Sequence, residues 1–199
     1  MGFLKYIFKR KSTSDSAKKE VKRSADEELR GSIASGATAI SIGSDACSED
    51  KLPQKRIKVC KKWLENFNSG NLEAIQELLT ADFKAVFGDV ELTWKDTLEG
   101  APKAFAAFPD FQLKCTEMEA LEDGSIRFRV VASGTHTGAP YSFGPFDPIE
   151  ATGKYVENDP EQSIMFFSGE KICKQVVKPM GTMTGFSGLY TQLGGFPLL

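Results

Sequence analysis

Histidine is nearly absent from this chain of 199 residues: His136 is its single instance. Four cysteines, at 47, 60, 115 and 173, are widely spaced and form no C-x-x-C pair. One histidine and scattered thiols cannot assemble a zinc site, so no metal is expected, and no cofactor. The cysteines read as reduced thiols, which places the protein in a reducing, cytoplasmic compartment. No apolar run approaches the roughly 18 residues of a membrane span. Lys5, Lys9 and Arg10 interrupt the N-terminal apolar stretch, which argues against a secretory signal. Acidic groups are missing at one end: from Lys171 to Leu199 there is no Asp, Glu or His.

Charge is unevenly spread. Residues 1–23 hold eight Lys or Arg against Asp15 and Glu20, a net +6, so the rest of the chain carries −8. An acidic body is a poor partner for nucleic acid, and none is expected. Residues 1–11 mix Phe3, Leu4, Ile7 and Phe8 with basic residues at helical spacing, a pattern suited to an anionic membrane surface. A disordered leader or an organelle-targeting peptide is the simpler alternative. Gly2 is present, but Tyr6 stands where myristoylation wants Ser or Thr. Residues 12–50 have almost no large apolar side chains and cannot offset their ordering entropy. Residues 1–52 are therefore expected to be tail and linker, and 53–199 the folded domain.

Most of the 15 phenylalanines lie after position 66, so the core material is there. Val59, Trp63 and Phe67, with Cys60 and Leu64, recur at helical spacing opposite Lys61, Lys62 and Glu65. Ser69-Gly70 ends that helix, and Asn71 can cap a second one with Leu72, Ile75, Leu78 and Leu79 as its face. A short strand is expected over Phe83–Phe87. A third helix follows, with Pro102 in its first turn, Phe105 and Phe108 on one face, and Pro109 as its stop. Two hairpins come next: 111–121 with 125–137 around Glu122-Asp123-Gly124, and 162–167 with 171–178 around Ser168-Gly169-Glu170. Between them lies a long Gly-, Pro- and Phe-rich loop with a short strand near 153–157. Helices first and antiparallel strands afterwards predict an α+β fold, a curved sheet with helices on one face.

The informative strand is Ser125–Gly138. Alternation puts Ile126, Phe128, Val130, Ala132, Gly134, His136 and Gly138 on one face. The histidine thus lies on the apolar face, where Gly134 and Gly138 remove side-chain volume on either side. That arrangement leaves room for a ligand beside a group able to donate, accept or carry a proton. A buried structural histidine is the other reading of the same pattern. Trp63, Phe67, Phe83, Phe105 and Phe128 are core residues by type, and some of them are expected to line such a pocket.

The segments WLENFNSGNLEAIQELLTADF, FAAFPDFQL, DGSIRFRVVASGTHTG, ATGKYVE, GEKI and GLYTQLG, in that order, resemble the polyketide-cyclase-like (SnoaL-like) branch of the nuclear-transport-factor-2-like superfamily over roughly residues 57–195. The resemblance implies a cone-shaped α+β barrel: three N-terminal helices against a strongly curved, mostly antiparallel sheet, with a pocket inside. It also implies dimers packed through the outer sheet face. Cyclases of this kind close a ring by an intramolecular aldol step and use an acid near the end of the last strand. Here the matching stretch, 174–188, holds no Asp, Glu or His, and Val176 or Val177 stands where a Trp usually precedes the acid.

Three functions follow as expectations. The first is a domain that holds a small apolar or amphipathic molecule beside His136 without cyclase chemistry. The second is an isomerase, cyclase or dehydratase acting on a carbonyl compound, with His136 as proton carrier and Asp110 as its orienting partner. The third is a dimeric protein-interaction module. Asp110, in the FPD segment, has a simpler use in turn geometry. Asp147 and Glu150 lie in the long loop, where charges are usually solvated, and Lys154 could meet an anion or carbonyl. A chain beginning at Leu52 is expected to melt within a few degrees of the full-length protein. Only the full-length protein should co-sediment with anionic liposomes at low salt. Equal sedimentation of both, or of neither, contradicts the membrane expectation.

Overall fold

The computed structural model describes residues 51–196; the expectations for the N-terminal tail lie outside them. The elements run α1 (Lys51–Asn68), α2 (Leu72–Gln76), β1 (Leu79–Phe87), β2 (Val90–Thr93), α3 (Trp94–Ala107), β3 (Gln112–Ala120), β4 (Ile126–Thr135), β5 (Tyr155–Glu157), β6 (Glu161–Ser168), β7 (Lys171–Pro179) and α4 (Gly185–Gln192). The strands form one curved, unclosed sheet in the order β2-β1-β7-β6-β4-β3, with β5 beside β4. Every pairing is antiparallel except β1 with β7. The expected α+β cone is present, with one helix more than expected, α4 at the C-terminal end. Among the described residues no helix is long and apolar enough to cross a membrane.

Local chemistry explains most boundaries. α1 buries Cys60, Trp63, Leu64 and Phe67, the face its periodicity marks. It stops where Gly70 takes a positive φ, and Asn71 accepts the N–H of Ala74 to start α2. α3 begins earlier than expected. Thr93 and Asp96 form a reciprocal capping box, so Trp94 opens the helix and Pro102 lies inside it rather than in its first turn. β1 is also longer than expected: Leu79, assigned by spacing to the second helix, is already strand. A turn at Gly88-Asp89 then returns the chain as β2, which periodicity over four residues did not show.

The inner face of the sheet can be read from its register. Ala85, Gln175, Met165 and Ile126 lie side by side across β1, β7, β6 and β4. Phe87, Val177, Ser163, Phe128 and Met118 form the next row. α1 covers this face, with Cys60 Sγ 3.5 Å from Met165 Sδ. Arg56 fixes the helix at one end. Its guanidinium sits over the Phe167 ring at 5.1 Å and donates to the carbonyls of Gly124 (2.7 Å) and Gly169 (3.4 Å), the turns of both hairpins. Beyond it, Trp63, Phe67, Phe105 and Phe111 pack at centroid distances of 5.1 to 6.2 Å between α1, α3 and the start of β3, Trp63 stacked on Phe67 and the other pairs edge-on or tilted.

The loop after β4 is anchored. The N–H groups of Gly138 and Ala139 donate to the carbonyls of Ala107 and Ala106 at the end of α3. Tyr141 is buried, bridges to Ile149 and donates its hydroxyl to the Phe186 carbonyl at 3.0 Å. Phe146, Tyr190 and Phe196 pack together beside it, Phe146 and Phe196 stacked at 4.4 Å. A methyl group at Gly138 would overlap the Ala106 carbonyl oxygen. Gly138→Ala should therefore destabilise the domain by about 2 kcal/mol or more, measured by chemical denaturation. A neutral substitution would show that the loop does not dock on α3.

Candidate functional site

His136 follows directly on β4 and is completely enclosed. Its backbone is fixed on both sides, the N–H donating to the Lys154 carbonyl at 2.9 Å and the carbonyl accepting the Gly153 N–H at 2.8 Å. The ring lies 5.2 Å from Phe108, which in turn meets Tyr141 edge to face at 5.3 Å. Nδ1 is 3.3 Å from Thr152 Oγ1, which also accepts the Lys154 N–H at 3.2 Å. Nε2 has no hydrogen-bond partner among the described residues. A buried imidazole nitrogen without a partner forfeits a hydrogen bond worth about 1–3 kcal/mol, a cost that a bound polar atom or a water removes.

The space beside the ring differs from the sequence reading. A Cβ at Gly134 would stand 3.0 Å from Phe108 Cβ and 3.3 Å from Asp110 Oδ1, and one at Gly138 would meet the α3 backbone. Both glycines therefore permit close approach of α3 and its following turn rather than leaving open volume. Asp110 is likewise engaged elsewhere. Its carboxylate accepts the Thr135 N–H at 2.6 Å and the Thr135 hydroxyl at 2.8 Å, tying the α3–β3 corner to the end of β4. These bonds hold its carboxyl below the ordinary carboxylate range, the backbone N–H contributing most. The group that orients His136 is Thr152. A Thr-Gly dipeptide in a loop gives no periodic signal, which is why the sequence did not mark it.

Trp63, Phe67, Phe83 and Phe128 are buried in the core and Phe105 is half-buried against it. The indole nitrogens of Trp63 and Trp94 are buried without partners among the described residues. Asp147 and Glu150 are exposed, and Lys154 Nζ donates to the Gln192 carbonyl of α4. Burial pushes the Cys60 thiol up to about 12, so it stays protonated and unreactive.

The last strand, β7, turns Ile172, Gln175 and Val177 inward, and none of them ionises. Gln175 Nε2 donates to Ser163 Oγ at 2.9 Å, both groups buried. Past β7, residues 181–185 are held by 158–161. Asp159 Oδ2 accepts the N–H groups of Thr182 and Met183 at 2.8 and 2.9 Å, Asn158 Nδ2 donates to the Gly185 carbonyl at 2.8 Å, and Glu161 Oε1 accepts the Gly185 N–H.

A curved sheet whose concave face is covered by helices and carries a few buried polar groups is the architecture of the nuclear-transport-factor-2-like α+β cones. The chain belongs to the SnoaL-like polyketide cyclase family, which it matches over residues 58–174. Among solved structures it is similar to AclR from Streptomyces galilaeus, a proposed hydroxylase, with 23% identity, a TM-score of 0.57, and coverage of 71% of this chain and 96% of that one. It is also similar to IdmH from Streptomyces antibioticus, a proposed polyketide cyclase, with 21% identity, a TM-score of 0.53, and coverage of 70% and 98%. A third is a proposed polyketide cyclase from Acidithiobacillus ferrooxidans, with 21% identity, a TM-score of 0.51, and coverage of 78% and 98%. At these identities the structural likeness establishes the fold. A search of curated proteins gave no match.

The Asp110 clamp predicts a defined pH effect. Its lowered pKa contributes stability that is present above the ordinary carboxylate pKa and lost as pH falls through the lowered value. The stability difference between the native protein and Asp110→Asn should therefore shrink on acidification, measured by denaturation at a series of pH values. A difference that grows as pH falls contradicts the clamp.

Proposed function

We propose that this SnoaL-like domain binds a small apolar or amphipathic molecule in the interior of its cone, with a carbonyl or hydroxyl of that molecule on His136 Nε2. The observation that carries this reading is the state of His136: enclosed beside Phe108 and the 153–154 backbone, oriented through Nδ1 by Thr152, and unpartnered at Nε2. A nitrogen left without a partner in apolar surroundings is a specific recognition point, because any ligand atom that meets it removes a desolvation penalty. The absence of an ionisable side chain on the inner face of β7 supports binding without an acid supplied from that strand.

β-Tetralone, a bicyclic aromatic ketone, is a suitable probe. His136→Asn keeps a polar atom near the position of Nδ1, for Thr152, and removes Nε2. The expected result is a folded protein, destabilised by about 1–3 kcal/mol for the lost buried ring, with roughly tenfold weaker β-tetralone binding, the equivalent of one hydrogen bond of about 1.4 kcal/mol. Unchanged affinity, or no binding by the native protein, contradicts the reading. His136→Ala should cost about 1–3 kcal/mol of stability, since a fully buried ring is lost.

A further inference from the structure

Helix α1 has a second face that the core does not use. Cys60, Trp63, Leu64 and Phe67 are buried against the sheet, and Lys51, Lys55, Lys58, Lys61 and Lys62 stand exposed on the opposite side. At about 100° per residue these lysines fall within a stripe roughly 120° wide and about 16 Å long. Gln54 and Glu65 are the other exposed residues in that arc. Leu52, 41% exposed, lies on its flank at the N-terminal end.

The stripe works against the helix that carries it. A helix face that meets only water is favoured by Glu and Lys placed three or four residues apart, where they attract. Here the pairs at those spacings are Lys51 with Lys55, Lys55 with Lys58, Lys58 with Lys61 and Lys58 with Lys62, which repel. Glu65, following Lys61 and Lys62, is the single acid among them. Lys55 reaches Glu170 at 2.9 Å, and the other four lysines make no ion pair with a described residue. The sign also differs from that of the remaining domain. Residues 51–65 hold six Lys or Arg against one acid, a net +5, whereas residues 66–196 hold ten against eighteen, a net −8. Cations gathered on one face orient a molecule toward an anionic surface.

We propose that the lysine face of α1 docks the domain on an anionic phospholipid surface, adding to the contact expected of the basic N-terminal residues. Anionic headgroups spread over a plane can meet all five ammonium groups at once, and Leu52 adds an apolar contact at the edge. Apolar side chains accompany the cations in both segments: Leu52 here, and Phe3, Leu4, Ile7 and Phe8 near the start of the chain. That pairing favours a bilayer over nucleic acid or an acidic protein, because a bilayer has an apolar layer directly beneath its charges. One weak signal gives only marginal membrane binding, so the N-terminal segment and the α1 face act together. The ligand reading of the interior is independent of this one.

The test is co-sedimentation of the full-length protein with phosphatidylcholine–phosphatidylserine vesicles at low salt. Lys58→Gln with Lys62→Gln removes two charges from the stripe at exposed positions, and Gln supports a helix about as well as Lys. Lys174→Gln with Lys178→Gln, exposed on β7, makes the same change in net charge elsewhere and is the control. The native protein should pellet with the anionic vesicles and not with pure phosphatidylcholine. The α1 pair should weaken that binding by about tenfold or more, and the β7 pair by less than about threefold. The melting temperature of the α1 pair should be no lower than native, since Lys58 and Lys62 no longer repel. Should that pair not fold, Lys51→Gln with Lys61→Gln carries the same test. Equal weakening by the α1 and β7 pairs would assign binding to net charge, and unchanged binding by the α1 pair would assign it to the N-terminal segment alone; either overturns the α1 face. Polyglutamate bound as tightly as the vesicles would make the face a protein-docking surface and overturns the lipid assignment, as does failure of the native protein to sediment.

Discussion

The structure depends on one apolar face of α1 filling the concavity of the sheet. Cys60, Trp63, Leu64 and Phe67 turn inward, Cys60 onto Met165, Phe67 onto Phe105 and Phe111. A sheet curved this strongly cannot cover its own inner face, so without the helix the rows through Met165 and Phe128 would meet water. Arg56 sets where that helix lies, because one guanidinium reaches the turns of both hairpins. The curvature itself has a local source in β3, where Glu117 takes a positive φ at the irregularity between Thr116 and Met118. Bending and filling are therefore linked.

Polar groups in that interior gain meaning from their surroundings. The Ser163–Gln175 pair and the unpartnered Nε2 of His136 are both buried. A buried polar atom without a partner costs free energy, and His136 Nε2 is one among the described residues. By contrast, Asp110, Asp123, Asp159 and Glu161 spend their carboxylates on backbone N–H groups at turns and at the start of α4, which is structural use.

Periodicity made much of this legible in advance. The α1 face, both long hairpins and the inward placement of His136 follow from spacing and turn residues, and the structure has them. What spacing could not show was contact made at a distance in sequence. Gly134 and Gly138 look like open space along a strand, yet α3 fills it, because a glycine is equally compatible with a void and with close approach of another backbone. Leu79 fits a helical face but lies in β1, and Thr93 with Asp96 starts α3 well before Pro102. Thr152 became visible only once the loop was folded back beside His136.

The central claim is that the interior receives a small amphipathic molecule at His136. Because the chain has a single histidine, its imidazole nitrogens can be read without ambiguity by long-range proton–nitrogen NMR. On addition of β-tetralone, the account predicts a saturable shift of the Nε2 resonance, with Nδ1, held by Thr152, moving less. An Nε2 signal that stays in place while the ketone binds, or that never responds at any ketone concentration, would contradict it.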